Sequence, residues 1–198
     1  MSILQTARLS GPVRKVPCKV IVPFTGDVPG LIQDSPASRA TGAQVVQIAG
    51  VIAGRPNWDG VICVVGSRTV WAHVSVGEVV SFASFVSVEV AEGLRAMAEE
   101  GFEDGLQATL SRPERLAGEL AEADVTPGRA WGALLGAELA AARPYWLGQE
   151  VILVGDWPVQ GFYAQALQSQ GAMLQQVERD VAFDQGQAAL IAEKGTLS

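Results

Sequence analysis

Histidine is nearly missing from this sequence: His73 is the single one in 198 residues. Zinc sites and Ser-His-Asp triads draw on histidine at defined positions, so neither class is expected. His73 alternates with Val74 on an expected strand and reads as a surface or rim residue. Cysteine is scarce too. Cys18 and Cys63 both sit in apolar stretches, which points to two buried free thiols in a reducing compartment rather than to a disulfide or a catalytic thiol. Positive charge is thin: the longest basic cluster is Arg14-Lys15, and the net charge is −7. A phosphate backbone demands a basic footprint, so no nucleic-acid partner is expected. An anionic small substrate stays open, because a local pocket can be basic on an acidic chain. No uninterrupted apolar run approaches the roughly 18 residues of a membrane span. The N-terminus, MSILQTARLSGPVRK, lacks the apolar core and cleavage site of a signal peptide. A cytoplasmic protein without a membrane partner is expected.

What is present is apolar. Hydrophobic residues make up 48% and charged residues only 18%, so the chain can bury a sizeable core and can also carry an apolar interface. The length suits one domain. Trp58, Trp146 and Trp157 lie in polar or turn-rich contexts and read as exposed. With the low charge they raise the alternative of self-association or a partner lobe.

The chain is punctuated by clear signals. Residues 1–17 are weakly patterned and read as peripheral. Lys19 to Phe24 is β-branched and reads as a strand. Thr25 to Ala40 is rich in Gly, Pro, Ser and Asp and reads as a loop. Gly42 to Ala53 carries Val45, Val46, Ile48, Ala49 and Ile52 at helical spacing, with Gly54 and Pro56 as stop signals. Val61 to Phe85 reads as a three-stranded antiparallel meander, broken at Gly66-Ser67-Arg68-Thr69 and at Gly77-Glu78. Helices are expected over Val88 to Glu100, Glu103 to Leu110, Glu114 to Glu122 and, capped by Thr126 with Pro127 in its first turn, up to Ala142. Arg143-Pro144 ends that last one. Val151 to Val154 is a short apolar strand suited to a buried parallel position. Helices over about 159–170 and Asp184 to Glu193 follow. A strand meander, then helices, then strand-turn-helix is the order of an α/β sandwich of the ribonuclease-H-like kind.

Candidate sites follow from this order. The Gly66-Ser67-Arg68-Thr69 turn offers backbone N–H groups and hydroxyls that can form an anion-binding nest, and Arg68 adds a planar cation. The same residues also suit an ordinary hairpin turn. In Val151 to Leu167 a buried strand ends at Gly155, with Asp156 next to it, and a helix follows. Ligands in α/β sheets bind beyond such strand ends, although a plain connection reads the same. Gly132 and Gly136 share one helix face, which fits close packing of helix on sheet. Glu138 on that helix reads as a surface carboxylate. Thr41 to Gln44 opens a helix, where anions are favoured. Glu89, Glu92, Glu99, Glu100, Glu103 and Asp104 form a solvated acidic run.

Taken in order, the segments VPGLIQ (Val28 to Gln33), VVGSRTVWAHVSVGEVVSFASF, LLGAELAAARP (Leu134 to Pro144) and VILVGDWPVQGFYAQAL resemble the 2-keto-3-deoxygalactonate kinase (2-dehydro-3-deoxygalactonokinase) family, over about Pro23 to Ala192. The resemblance implies a ribonuclease-H-like lobe of the actin/hexokinase-type ATPases. It implies one domain over residues 1–198 corresponding to the C-terminal two-thirds of a sugar-acid kinase. It implies ATP and magnesium as cofactors of an active enzyme, and a small sugar acid phosphorylated at its 6-hydroxyl. Gly66, Ser67 and Thr69 fall where the family has Gly-Thr-His-Ser, its second phosphate turn, Trp71 matches a tryptophan after it, and Gly155 falls on the adenosine side of the cleft. Gly66, Ser67, Arg68, Thr69, Gly155 and Asp156 are therefore the candidate nucleotide- and phosphate-binding residues. No catalytic residue and no metal ligand is assigned. The family's opening Asp-x-Gly-Thr turn has no match; Asp27, Asp59, Asp104, Asp156 and Asp184 all stand in other contexts. Where the family carries Arg-Gly-Glu-Glu, this chain has Thr41-Gly42-Ala43-Gln44, and neither Ala43 nor Gln44 can take a proton. These departures predict impaired or lost catalysis; the alternative is a non-catalytic kinase-like domain that binds a ligand or partner.

Overall fold

The computed structural model describes residues 12–195 apart from Thr25 and Ala123. The expected peripheral segment 1–17 therefore lies mostly outside the described residues. Its described part carries β1 (Val13–Lys15), which pairs in parallel with β3 (Gly30–Asp34).

The centre of the fold is a six-stranded sheet. Its strands are β2 (Cys18–Lys19), β5 (Asp59–Val64), β6 (Thr69–Ser75), β7 (Glu78–Phe85), β8 (Glu150–Gly155) and β9 (Met173–Glu178), in the order β2-β7-β6-β5-β8-β9. The expected meander is β5-β6-β7, paired antiparallel throughout. Its second turn is tight, with Val76 at φ 46 and Gly77 at φ 77. Positive φ at both central residues matches the twist of the flanking strands. The expected buried parallel strand is β8, which lies parallel to both β5 and β9.

Alternation along the strands sorts the core into two layers. Val61, Cys63 and Val65, with Val151, Leu153 and Trp71, face one side. There they meet α2 (Ser87–Gly93), α3 (Phe102–Leu110), α5 (Pro127–Ala141) and α7 (Val159–Ser169). Ile62, Val64, Ile152, Val154, Val70 and Ala72 face the other side and meet α1 (Gly42–Ala53) and α8 (Arg179–Gly195). Fully burying each of these large apolar side chains is worth about 1.5–3 kcal/mol. A short helical turn at Pro113–Arg115, α4 (Leu116–Ala121) and α6 (Arg143–Trp146) complete the helices.

Helix α1 begins and ends where the sequence placed it. The Thr41 hydroxyl accepts a hydrogen bond from the Gln44 amide, and the Gln44 side-chain oxygen accepts one from the Thr41 amide, a reciprocal cap. Thr126 caps α5 with Pro127 in its first turn.

Several expectations are corrected. The strand at Lys19 to Phe24 stops at Lys19: the Val20 amide still donates to the Gly77 carbonyl, and Pro23 beyond it has no N–H for a ladder. The segment read as a loop contains a hairpin of β3 and β4 (Ala37–Ala40) around Ser35-Pro36. Gln33 ties it to β7 by donating to the Phe82 carbonyl and accepting from the Phe82 amide. The helix from Val88 ends at Gly93, because Gly lowers helix stability and Arg95 turns left-handed at φ 53. Gly132 and Gly136 pack against α3 rather than the sheet; a Cβ on Gly132 would stand 1.9 Å from the Phe102 carbonyl oxygen. Strand β9 was missed because its sequence, MLQQVE, is an edge strand with little buried surface. Trp146 is buried and Trp58 half-buried, its indole donating to Glu150; of the three tryptophans read as exposed, Trp157 alone is. Cys63 is buried, Cys18 is half-buried, and both thiols are free. His73 is half-buried on β6, and the acidic run is exposed throughout.

Candidate functional site

Strands β5, β8 and β9 run parallel, and their register aligns Val64, Val154 and Val177 in one row. Their carboxyl ends therefore open on a common rim formed by Val65-Gly66, Gly155-Asp156 and Glu178-Arg179. The sequence spreads these three pieces from Val65 to Arg179; the parallel register brings them together.

The Gly66 to Thr69 turn is held from three sides. The Thr69 hydroxyl donates to the Gly66 carbonyl at 3.3 Å. The Glu89 amide in the first turn of α2 donates to the Ser67 carbonyl at 3.2 Å. The Gln44 side-chain amide at the head of α1 donates to the Arg68 carbonyl at 2.8 Å. Thus Thr41 to Gln44, read separately in the sequence, adjoins the turn. Gly66 is half-buried, Ser67 and Arg68 are exposed, and Arg68 lies 3.9 Å from Glu89. Such an exposed pair contributes little to stability.

Thr69 is placed differently. It is fully buried, and its Oγ1 lies 3.0 Å from the Tyr163 hydroxyl. Tyr163 donates to Glu138 Oε1 at 3.0 Å, and the Trp71 indole donates to the same oxygen at 2.9 Å. Glu138 was read as a surface carboxylate; it is buried, because the Gly132–Gly136 face turns α5 against α3 and sends Glu138 toward the sheet. Burial pushes its carboxyl above the usual carboxylate range, against the hydrogen bonds of Trp71, Ser87 and Tyr163, which pull it down. Burial also raises the Tyr163 phenol and the Cys63 thiol, and the Glu138 charge adds to both shifts.

On the β8 side, Gly155 is buried; a Cβ there would stand 3.1 Å from Val65 Cβ. Asp156 is exposed and pairs with Arg179. Arg179 also donates from Nη2 to the Val65 carbonyl at 3.0 Å. Sequence reasoning missed Arg179 because it missed β9, the strand that delivers it. Trp157, next in the chain, is 77% exposed and rests its ring on Gly161.

The residues present suit phosphate: a turn with two exposed members, a strand end without a side chain, and two guanidinium groups. They do not form a protein-held metal site. Among the described residues no group of three or more His, Cys, Asp or Glu is placed to hold a metal ion, and Asp156 is already paired with Arg179. Elsewhere, a hollow of about 280 Å³ is bounded by Arg14, Val20, Phe24, Val28 and Leu190. Its one charged group, Arg14, is bound to the Lys19 and Val20 carbonyls, so it offers no convergent polar set. Among the described residues no helix is long and apolar enough to cross a membrane.

The three-layer α/β fold gathers glycines and cations beyond its parallel strand ends, the place where sheets of this kind bind small ligands. The chain belongs to the 2-keto-3-deoxy-galactonokinase family, whose model matches residues 22–190. It is similar to a crystal structure described as that of "a putative 2-dehydro-3-deoxygalactonokinase protein from Sinorhizobium meliloti", with a TM-score of 0.72 and 22% identity, over 90% of this chain and 73% of that one. At that identity the likeness establishes the fold. No curated protein matches the sequence.

Proposed function

We propose that the rim of β5, β8 and β9 is a nucleotide-phosphate site of a sugar-acid kinase lobe, and that phosphoryl transfer there is impaired. The single observation that carries the reading is the turn. Its carbonyls at Gly66, Ser67 and Arg68 are each taken by a protein donor, so its amides are the backbone groups left to face an anion. The strand order β7-β6-β5-β8-β9, with β6 antiparallel to its neighbours, supports a ribonuclease-H-like lobe of the actin/hexokinase type.

The ligand set follows from the family: ATP, which supplies the phosphoryl group, and 2-keto-3-deoxygalactonate with its 6-hydroxyl. Gly66 and Ser67 hold phosphate oxygens through main-chain N–H groups. Arg68 adds charge at the exposed edge. Gly155 sits under this rim as a packing residue: a Cβ there would crowd Val65 and Gln160. No step is assigned to magnesium, for want of a donor set.

Catalysis is weak for a local reason. Ala43 has no proton acceptor, and the Gln44 side chain is bound between Thr41 and the Arg68 carbonyl. A missing general base costs about 10²- to 10⁴-fold, and phosphoryl transfer depends on positioning and electrostatics for most of the rest. The same observation favours the second reading, a domain that binds ligand without turnover.

The test is coupled ADP release with ATP, magnesium and 2-keto-3-deoxygalactonate. The expected result is turnover far below the roughly 1–100 per second of ordinary kinases. Turnover within that range would overturn the impairment.

A further inference from the structure

We infer that Arg179 is the principal anion-binding side chain of this rim and that Asp156 is its positioning partner. The inference rests on the nucleotide-phosphate reading above and assigns a role within it that the turn motif does not contain.

The geometry is set by register. With Val64, Val154 and Val177 in one row, Gly66, Asp156 and Arg179 each follow two positions on, just beyond the strand ends. The Arg179 guanidinium bridges the other two segments. Its Nε donates to Asp156 and its Nη2 to the Val65 carbonyl at 3.0 Å. Its Nη1 lies 3.6 Å from the point where a Cβ on Gly66 would stand. Two donor edges are therefore committed to the protein, and the third faces the space that Gly66 leaves open.

Arg68 and Arg179 differ in how they are held. Arg68 has one exposed, long ion pair with Glu89, and its side chain is 45% exposed. Arg179 donates to two protein partners, Asp156 and the Val65 carbonyl, and its side chain is 21% exposed. A cation fixed by two partners has less entropy to lose on binding, and the drier setting strengthens its attraction for an anion. The planar fork suits phosphate oxygens. Asp156 itself carries negative charge, so its contribution to an anion site is to aim Arg179. The ligand class is the di- or triphosphate chain of a nucleotide.

Calorimetry with adenosine, ADP and inorganic pyrophosphate tests this on the full chain and on Arg179→Gln, Arg179→Lys, Asp156→Asn and the Arg179→Gln/Asp156→Asn double variant. Arg179→Gln is expected to weaken ADP and pyrophosphate by about tenfold or more, the scale of one charge-assisted hydrogen bond, and to leave adenosine unchanged. Arg179→Lys should recover part of the loss. The double variant should bind ADP no worse than Arg179→Gln, because Asp156 acts through Arg179. Equal ADP binding by wild type and Arg179→Gln would overturn the inference. So would an equal loss for adenosine and ADP, which is the signature of a structural role. If wild type binds neither adenosine nor ADP, the nucleotide reading falls. Pyrophosphate then decides Arg179 by itself: binding that Arg179→Gln abolishes keeps the anion site, and no binding removes it.

Discussion

Thr69 Oγ1 lies 3.0 Å from the Tyr163 hydroxyl, which donates to the buried Glu138 carboxylate. The residue that closes the candidate phosphate turn thus lies close to a titratable group in the core. That group predicts a pH dependence. Burial raises the Glu138 pKa above its ordinary value. Between the unfolded value, about 4.3, and the higher folded one, the native state holds more protons than the unfolded state, so this group's contribution falls as pH rises. Glu138→Gln removes that slope. The melting-temperature gap, wild type minus Glu138→Gln, should shrink from about pH 4 toward about pH 7. Parallel curves would contradict the buried charge.

Glu138→Leu goes further. It leaves the Trp71 indole and the Tyr163 hydroxyl without their shared acceptor, at about 1–3 kcal/mol for each stranded group. Urea denaturation should register a loss of at least about 2 kcal/mol.

The helix pair α3–α5 makes a second stability prediction. A Cβ on Gly132 would meet the Phe102 carbonyl oxygen at 1.9 Å and the Leu106 amide nitrogen at 2.7 Å. Both are main-chain atoms, so the helices must separate. Gly132→Ala should destabilise by about 1–3 kcal/mol, despite the better helix propensity of alanine. A neutral or stabilising result would mean that the helices are not so closely packed.

The meander turn offers the opposite sign. Val76 is exposed and sits at φ 46 before Gly77. A β-branched residue is strained there, whereas Asn-Gly is the favoured pair for this turn. Val76→Asn should stabilise by about 1 kcal/mol, read as a rise in melting temperature. A fall would contradict the turn geometry.

Strong local signals made most of the fold readable in advance. The caps at Thr41 and Thr126, the alternation of β5-β6-β7 and the apolar run of β8 each carry their own physics. What escaped depends on partners distant in sequence. Strand β9 is polar and takes its conformation from the ladder with β8. Glu138 looks like any helix-surface carboxylate until Gly132 and Gly136 fix which face of α5 meets α3. Of the candidate site, the turn and Gly155 were legible as motifs. Their adjacency came from the parallel register of β5 and β8, and Arg179 came only with β9. Thr69 was legible as a turn hydroxyl, yet its side chain points into the core network.

Trp157 supplies an optical probe. Its ring is exposed on Gly161 beside Asp156. Trp157→Ala should change stability by no more than about 0.5 kcal/mol. If the rim binds nucleotide, ADP should alter the tryptophan emission of wild type, and most of that change should vanish in Trp157→Ala. A change that persists in full would place the ligand elsewhere.

The most direct measurement is a calorimetric titration of the full chain with ATP and, separately, with ADP. Saturable one-site binding, weakened in both Arg68→Ala and Arg179→Gln, is the predicted result. No detectable heat for either nucleotide, with the protein folded by circular dichroism, would contradict a phosphate site at the ends of β5, β8 and β9.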